Sequence, residues 1–219
     1  MITLYGIAHS RATRTIWALE ELGLAWRHVP VIQAPRMRRM GRDPLAADAA
    51  LNTVSPAFLR LSPAGAIPVI DDDGFVLGES LAINLYLAEK AGGPLAPRDA
   101  IERARMTEVS LYAATWIEDA ALVIDKNAEA ASPDAAALAA AEAKLARPLD
   151  VLEGRLAAEG GLVGGRFTIA DVGVAEILRY AQPATALFDA RPHLKAWLAA
   201  CQSRPAFQKM WALREAEVI

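Results

Sequence analysis

ITLYGIAHSRATRTIWALEELGLAWRHVPVI, residues 2 to 32, is the stretch that decides the fold. Ile2 to Tyr5 is a short β-type run closed by Gly6. From Ser10 the period changes, with Ala12, Ile16, Leu19 and Leu22 at helical spacing and Gly23 as the stop. Trp26 to Ile32 is again apolar and β-branched, so it reads as a strand parallel to the first. Strand, helix and strand within about thirty residues form a βαβ unit with a right-handed crossover.

Outward from that unit, Gln33 to Thr53 is charged, broken by proline and carries no clear period, while Ser55-Pro56 starts a short helix through Leu61. Ile67 to Leu77 holds two short strands around an acidic turn at Asp71 to Gly74, a hairpin signature. Glu79 to Lys90 follows as a helix with Leu81, Leu85 and Ala88 as its expected buried stripe, ended by Gly92-Gly93-Pro94. The order is βαβ followed by ββα. Gly92 to Asp99 is the natural linker, and beyond it no strand signal occurs. Ile101 to about Asn127 reads as one long helix, and Asp134 to Leu156 as a second, bent at Pro148. Thr168 and Asp171 form a capping box, with Phe167 and Val172 at the hydrophobic-staple positions. Pro192 to Cys201 and Ala206 to Glu217 complete a helical second half. The expectation is a thioredoxin-like α/β domain over 1–90 and an all-helical domain over 98–219.

Bulk properties exclude several classes. The 219 residues carry a net charge of −3, with no apolar run long enough to cross a membrane and no leader pattern at the N-terminus. That balance gives no reason to expect nucleic acid or an anionic membrane as partner. Arg36, Arg38, Arg39 and Arg42 are basic but lack interleaved aromatics, so a solvated face is expected there. Cys201 is the single cysteine, and His9, His28 and His193 lack ligand spacing, so neither a disulfide nor a metal site is expected.

Four segments in order carry a resemblance. They are Tyr5-Gly…Ser10-Arg-Ala-Thr-Arg14…Glu20-Glu-Leu-Gly-Leu24; Pro63-Ala-Gly-Ala-Ile-Pro68-Val-Ile-Asp71 with Leu77-Gly-Glu-Ser-Leu-Ala-Ile83; Thr168-Ile-Ala-Asp171; and Arg204-Pro-Ala-Phe207. Together they resemble the cytosolic glutathione transferases, of the serine type and bacterial-like. The resemblance implies attack of the glutathione thiolate on a small apolar electrophile, with glutathione as co-substrate, no permanently bound cofactor, a homodimer and a cytoplasmic location. A glutathione-dependent isomerase, lyase or peroxidase on this scaffold, or a non-catalytic regulatory protein, is the alternative.

The chemistry explains why such residues would be needed. A thiol of pKa about 8.5 is only a few per cent ionised at neutral pH, and the thiolate is the nucleophile. Lowering that pKa by about two units takes roughly 2.7 kcal/mol of preference for the anion. A hydroxyl at a helix N-terminus supplies a hydrogen bond and a favourable dipole. Ser10, at the strand-to-helix turn, matches the catalytic serine of the serine-type enzymes. An ordinary N-cap role is the competing reading, and Thr13 is the reserve hydroxyl. Tyr5 reads as packing and His9 as incidental. Pro68 resembles the family's cis-proline, which would turn the Ile67 N–H and C=O toward the cysteinyl backbone of glutathione. Glu79 and Ser80 match the pair that grips the γ-glutamyl end, the glutamate facing the amine and the helix N-terminus the carboxylate. Ala66 stands where relatives often carry a polar contact, and Gln33–Thr53 is longer than typical. Tyr112 and Trp116, four apart, are expected on one helix face, as electrophile-pocket lining or core. A two-fold interface would use the Glu79–Lys90 helix and the first half of the next one, where Arg103 and Arg105 lie.

Overall fold

A computed structural model describes residues 1–218. Within them the chain divides into two compact units. The first holds Met1–Ala91 together with the C-terminal helix, and the second is Gly92–Arg204.

The first unit is built on a four-stranded sheet in the order β2-β1-β3-β4. Its strands are β1 (Ile2–Tyr5), β2 (Trp26–Val29), β3 (Val69–Asp72) and β4 (Phe75–Gly78). β1 pairs parallel with β2 and antiparallel with β3, and β3 pairs antiparallel with β4. Between β1 and β2 runs α1 (Ala12–Glu21), whose Ala12, Ile16 and Leu19 are buried as their spacing predicts. Gly23 follows it at φ +62°. The β3–β4 turn has positive φ at Asp73 (+51°) and Gly74 (+96°), the backbone a two-residue type I′ hairpin requires. This is the thioredoxin-like arrangement expected from the sequence.

Three details differ. β2 stops at Val29, short of Ile32. Beyond it Val31 N still donates to Gly6 O, while Ile32 N turns to Leu51 O. Within the unassigned stretch, α2 (Ala34–Arg39) carries Pro35 in its first turn, and the Thr53 hydroxyl accepts from Ala34 N at 3.0 Å. Asn52 donates to the carbonyls of Pro44 and Ala50, folding the stretch back on itself. After α3 (Pro56–Leu59), the helix α4 (Ser80–Ala91) buries Ile83, Leu87 and Ala88 with Ser80 and Asn84, while Leu81 and Leu85 are only half-buried. The buried face is rotated because α1 supplies partners for its polar members. Arg14 Nη1 donates to Ser80 Oγ at 3.3 Å, and Asn84 Nδ2 to Arg14 O at 3.1 Å.

The C-terminal helix α11 (Pro205–Ala216), expected with the helical half, packs on α1 of the first unit. The Trp17 and Phe207 rings meet edge-on at 5.0 Å between centroids, and Glu20 accepts from both Trp26 Nε1 and Lys209 Nζ. Trp17 is fully buried, so this contact removes a large aromatic surface from water.

In the second unit, α5 (Ala100–Tyr112) and α6 (Glu118–Ala128) are joined by a π-helical turn, Ala113–Ile117. α7 (Ala135–Glu159) runs through Pro148 and ends at Gly160, whose φ is +69°. The capping box forms at the start of α8 (Ile169–Arg179), which the short α9 (Thr185–Asp189) follows. Thr168 N donates to Asp171 Oδ2, and Trp197 Nε1 of α10 (Pro192–Gln202) donates to Asp171 Oδ1, each at 2.8 Å. Burial pushes the Asp171 carboxyl up, opposed by those hydrogen bonds. The core here is aliphatic, with Leu145, Leu149, Leu152 and Val172 buried. No helix among the described residues is long and apolar enough to cross a membrane.

Candidate active site

Sheet register brings the predicted residues of the first unit together. Tyr5 pairs with Val69, and Val69 with Gly78. That line is the end of β1, the start of β3 and the end of β4. The segments just beyond it are the Gly6–Arg11 turn with Ser10, the Ile67-Pro68 pair, and Glu79-Ser80. All three therefore leave from one edge of the sheet. The Ile67–Pro68 bond is cis, as expected. Gly6 allows the close approach, since a Cβ on it would lie 3.1 Å from the Ala12 Cβ and 3.7 Å from Pro68 Cα.

Ser10 is half-buried and fully engaged. Its hydroxyl donates to Ile7 O at 2.7 Å and accepts from Ala12 N at 3.1 Å. A turn-holding role is thus present, one residue ahead of Arg11, the cap position of α1. It does not exclude a second role, because a hydroxyl has one donor and two acceptor positions. The oxygen can keep accepting from Ala12 while the O–H turns from the Ile7 carbonyl to another anion. Thr13 is buried, with its hydroxyl donating to Ser10 O at 3.1 Å. Tyr5 packs toward Phe58, their centroids 6.5 Å apart.

Glu79 is exposed and lies at φ +63°, a left-handed backbone that costs a non-glycine residue roughly 1–2 kcal/mol. Its carbonyl accepts from Ile83 N at 2.9 Å, which starts α4. Ser80 is buried against Arg14. Ala66 offers no polar side chain, yet its backbone is pinned, for Ser62 Oγ donates to Ala66 O and accepts from Ala66 N.

Around the Ser10 turn stand residues that the pattern reading left aside. Arg36, expected on a solvated face, donates to His9 O at 3.0 Å. Arg214 donates to Ala8 O at 2.7 Å, and Glu217 accepts from His9 N at 3.2 Å. His28 Nε2 lies 2.8 Å from Gly6 O. Partial burial, and after it the Arg214 and Arg36 guanidiniums, hold the His9 imidazole below its usual pKa. Only the count of arginines hinted at these contacts, and no spacing rule links residue 214 to residue 8.

In the second unit, Tyr112 and Trp116 differ in exposure, the first just before the π-helical turn and the second within it. Tyr112 is half-buried, its hydroxyl donating to Pro148 O at 3.4 Å, and burial raises its pKa. Trp116 is 57% exposed. Arg105 pairs with Glu108 of its own helix at 2.9 Å, and Glu108 also meets Arg155 at 3.3 Å. No group of three or more His, Cys, Asp or Glu among the described residues could hold a metal ion.

Comparison with known proteins agrees with this geometry over both units. Residues 10–90 match the family described as glutathione S-transferase, N-terminal domain, and residues 106–205 the glutathione S-transferase, C-terminal domain. Glutathione S-transferase 3 of Zea mays is 34% identical over 227 residues, covering 95% of this chain and 92% of that protein. Maize glutathione S-transferase I, solved in complex with an atrazine glutathione conjugate, superposes at a TM-score of 0.80 with 28% identity, over 99% of both chains. The theta class glutathione S-transferase from the citrus canker pathogen Xanthomonas axonopodis pv. citri, solved with glutathione bound, gives 0.76 with 27% identity over 95% of each. With the expected strand order, the three segments at one sheet edge and these likenesses along nearly its whole length, the chain belongs to the glutathione S-transferase family.

Proposed function

We propose that the chain is a serine-type enzyme that conjugates glutathione to small apolar electrophiles, with Ser10 holding the thiolate. The observation that carries this reading is the register line Tyr5–Val69–Gly78, beyond which Ser10, Pro68 and Ser80 leave from one edge. Along that edge an extended tripeptide finds one group for each part. The Ile67 backbone faces the cysteinyl residue as an added strand, and Ser80 with the α4 N-terminus takes the γ-glutamyl carboxylate. Glu79 attracts the amine. Its strained backbone supports this reading, since strain in a non-glycine turn residue collects at functional positions.

In the reaction the thiol gives its proton to solvent, and the Ser10 O–H turns from Ile7 O to the sulfur anion. A sulfur lone pair then forms the S–C bond to the electrophile. In a displacement the leaving group departs with its bonding pair; in an addition the pair moves onto the acceptor. The solved atrazine conjugate of the maize relative supports an apolar aromatic partner for the thiolate. The second unit, Gly92–Arg204, supplies the electrophile side. Trp116 is its exposed aromatic candidate, and the half-buried Tyr112 the second. The enzyme acts as a cytoplasmic homodimer through α4 and α5, whose Ile101 is 76% exposed.

Ser10→Ala tests the central claim. Turnover at neutral pH is expected to fall by about one to three orders of magnitude, the scale for one lost anion donor. Glutathione affinity should change far less, and ultraviolet titration should show the bound thiol pKa rising toward its free value. Unchanged turnover removes Ser10 as the activator.

A further inference from the structure

The turn that carries Ser10 is held by the far end of the sequence. Arg214 Nη1 donates to Ala8 O at 2.7 Å, and His9 N donates to Glu217 Oε2 at 3.2 Å. These two groups are opposite ends of one peptide unit, Ala8–His9. A peptide plane gripped at both ends by ionised groups cannot flip or tilt without losing a charge-assisted hydrogen bond. The Glu217 side chain is only 11% exposed, so its hold is largely shielded from water. The carbonyl of the following unit, at His9, is taken by Arg36 at 3.0 Å. Helix α11 is itself anchored independently, through Phe207 on Trp17.

We propose that Arg214 and Glu217 are positioning residues for the Ser10 hydroxyl, an inference that rests on reading Ser10 as the thiolate donor. The turn from Ile7 to Ser10 is the lever. Ile7 O is the present acceptor of the Ser10 O–H, and the clamped peptide unit lies between the two. If that unit can rock, the hydroxyl loses its fixed position, and a donor displaced by about 1 Å can lose up to a hundredfold in rate. The two guanidiniums also set positive charge beside the turn, which adds to burial in lowering the His9 pKa.

The experiment compares Ser10→Ala, Arg214→Ala and the double variant, using glutathione and a nitro-activated aryl chloride. Arg214→Ala is expected to lower kcat roughly tenfold, with the KM for glutathione changed less than about twofold, and to raise the bound thiol pKa. Arg214→Lys, which restores one cationic donor, should recover most of the loss. In the Ser10→Ala background, Arg214→Ala should add little, as expected of groups acting as one unit. A thiol pKa untouched by Arg214→Ala, while Ser10→Ala raises it, would reduce Arg214 to a structural anchor and overturn the inference. Multiplicative losses in the double variant would overturn it as well. If Ser10→Ala itself changes nothing, the reading of Ser10 falls first and the inference with it. Should Arg214→Ala fail to fold, Glu217→Ala at the other end of the same peptide unit carries the test, with a several-fold loss of kcat expected.

Discussion

Two strand-to-helix turns leave the same sheet edge, and they are held in opposite ways. The Ser10 turn is supported from outside, its carbonyls at Ala8 and His9 taken by Arg214 and Arg36. The Glu79-Ser80 turn is supported from inside, where Arg14 lies buried between α1 and α4 and reaches Ser80. Strain is divided unequally too: Glu79 sits at φ +63°, and the non-glycine residues of the Ser10 turn have no positive φ. The difference teaches that one motif family can mix a relaxed turn made rigid by imported cations with a strained turn made rigid by the core.

Four variants or conditions sharpen this contrast. The largest effect is expected for Arg14→Ala, which removes a buried partner of Ser80 and opens space in the core. A loss of about 3 kcal/mol in unfolding free energy is expected, checked by urea denaturation, with weaker glutathione binding in calorimetry. Arg36→Ala attacks the outside support alone. It should cost roughly three- to tenfold in kcat and less than about 1 kcal/mol of stability, since Arg36 is only half-buried. Equal stability losses for Arg14→Ala and Arg36→Ala would erase the distinction between the two turns.

Glu79→Asn tests the strain directly. Asparagine tolerates the left-handed region, so stability should hold or rise by about 0.5–1 kcal/mol while glutathione affinity falls. A des-amino analogue of glutathione should lose less affinity than glutathione does; equal losses would rule out the amine contact. The smallest effect concerns acid. Asp72 is buried at the hairpin below the second turn, accepting from Lys90 and from Tyr86 Oη. Those two hydrogen bonds hold its carboxyl below the ordinary 3.8. A depressed carboxylate contributes stability above its unfolded pKa and loses it as pH falls through the folded one. Asp72→Asn should therefore flatten the melting-temperature profile below about pH 4 and leave the neutral side steeper in no respect.

Much of the fold was legible because apolar period and punctuation agree along residues 2–32 and again around the β3–β4 hairpin. The capping box at Thr168 and Asp171 was legible for the same reason, being local in sequence. What stayed hidden depends on distant partners. The buried face of α4 includes Ser80 and Asn84, which a hydropathy pattern assigns outward, and only Arg14 makes their burial acceptable. The π turn at Ala113–Ile117, which interrupts the single long helix the sequence suggests, has no proline or glycine to mark it. At the site, Ser10, Ile67-Pro68 and Glu79-Ser80 stand out as motif residues. Arg36, Arg214 and Glu217 do not, because a clamp on a backbone carbonyl asks only for a cation at the right place. The partner of α11 was equally unreadable, since its amphipathic pattern fits any apolar groove.

That last helix has a consequence for biosynthesis. Met1–Ala91 of the first unit leave the ribosome before the second unit, but α11 emerges only after the 113 residues from Gly92 to Arg204. At about 5–20 residues per second, the interval is on the order of ten seconds. Throughout it the nascent sheet holds Trp17 without Phe207, and the Ala8–His9 peptide without either of its clamps. Trp17 stays unshielded over that time, and the Ser10 turn meets Arg214 and Glu217 only once α11 has emerged.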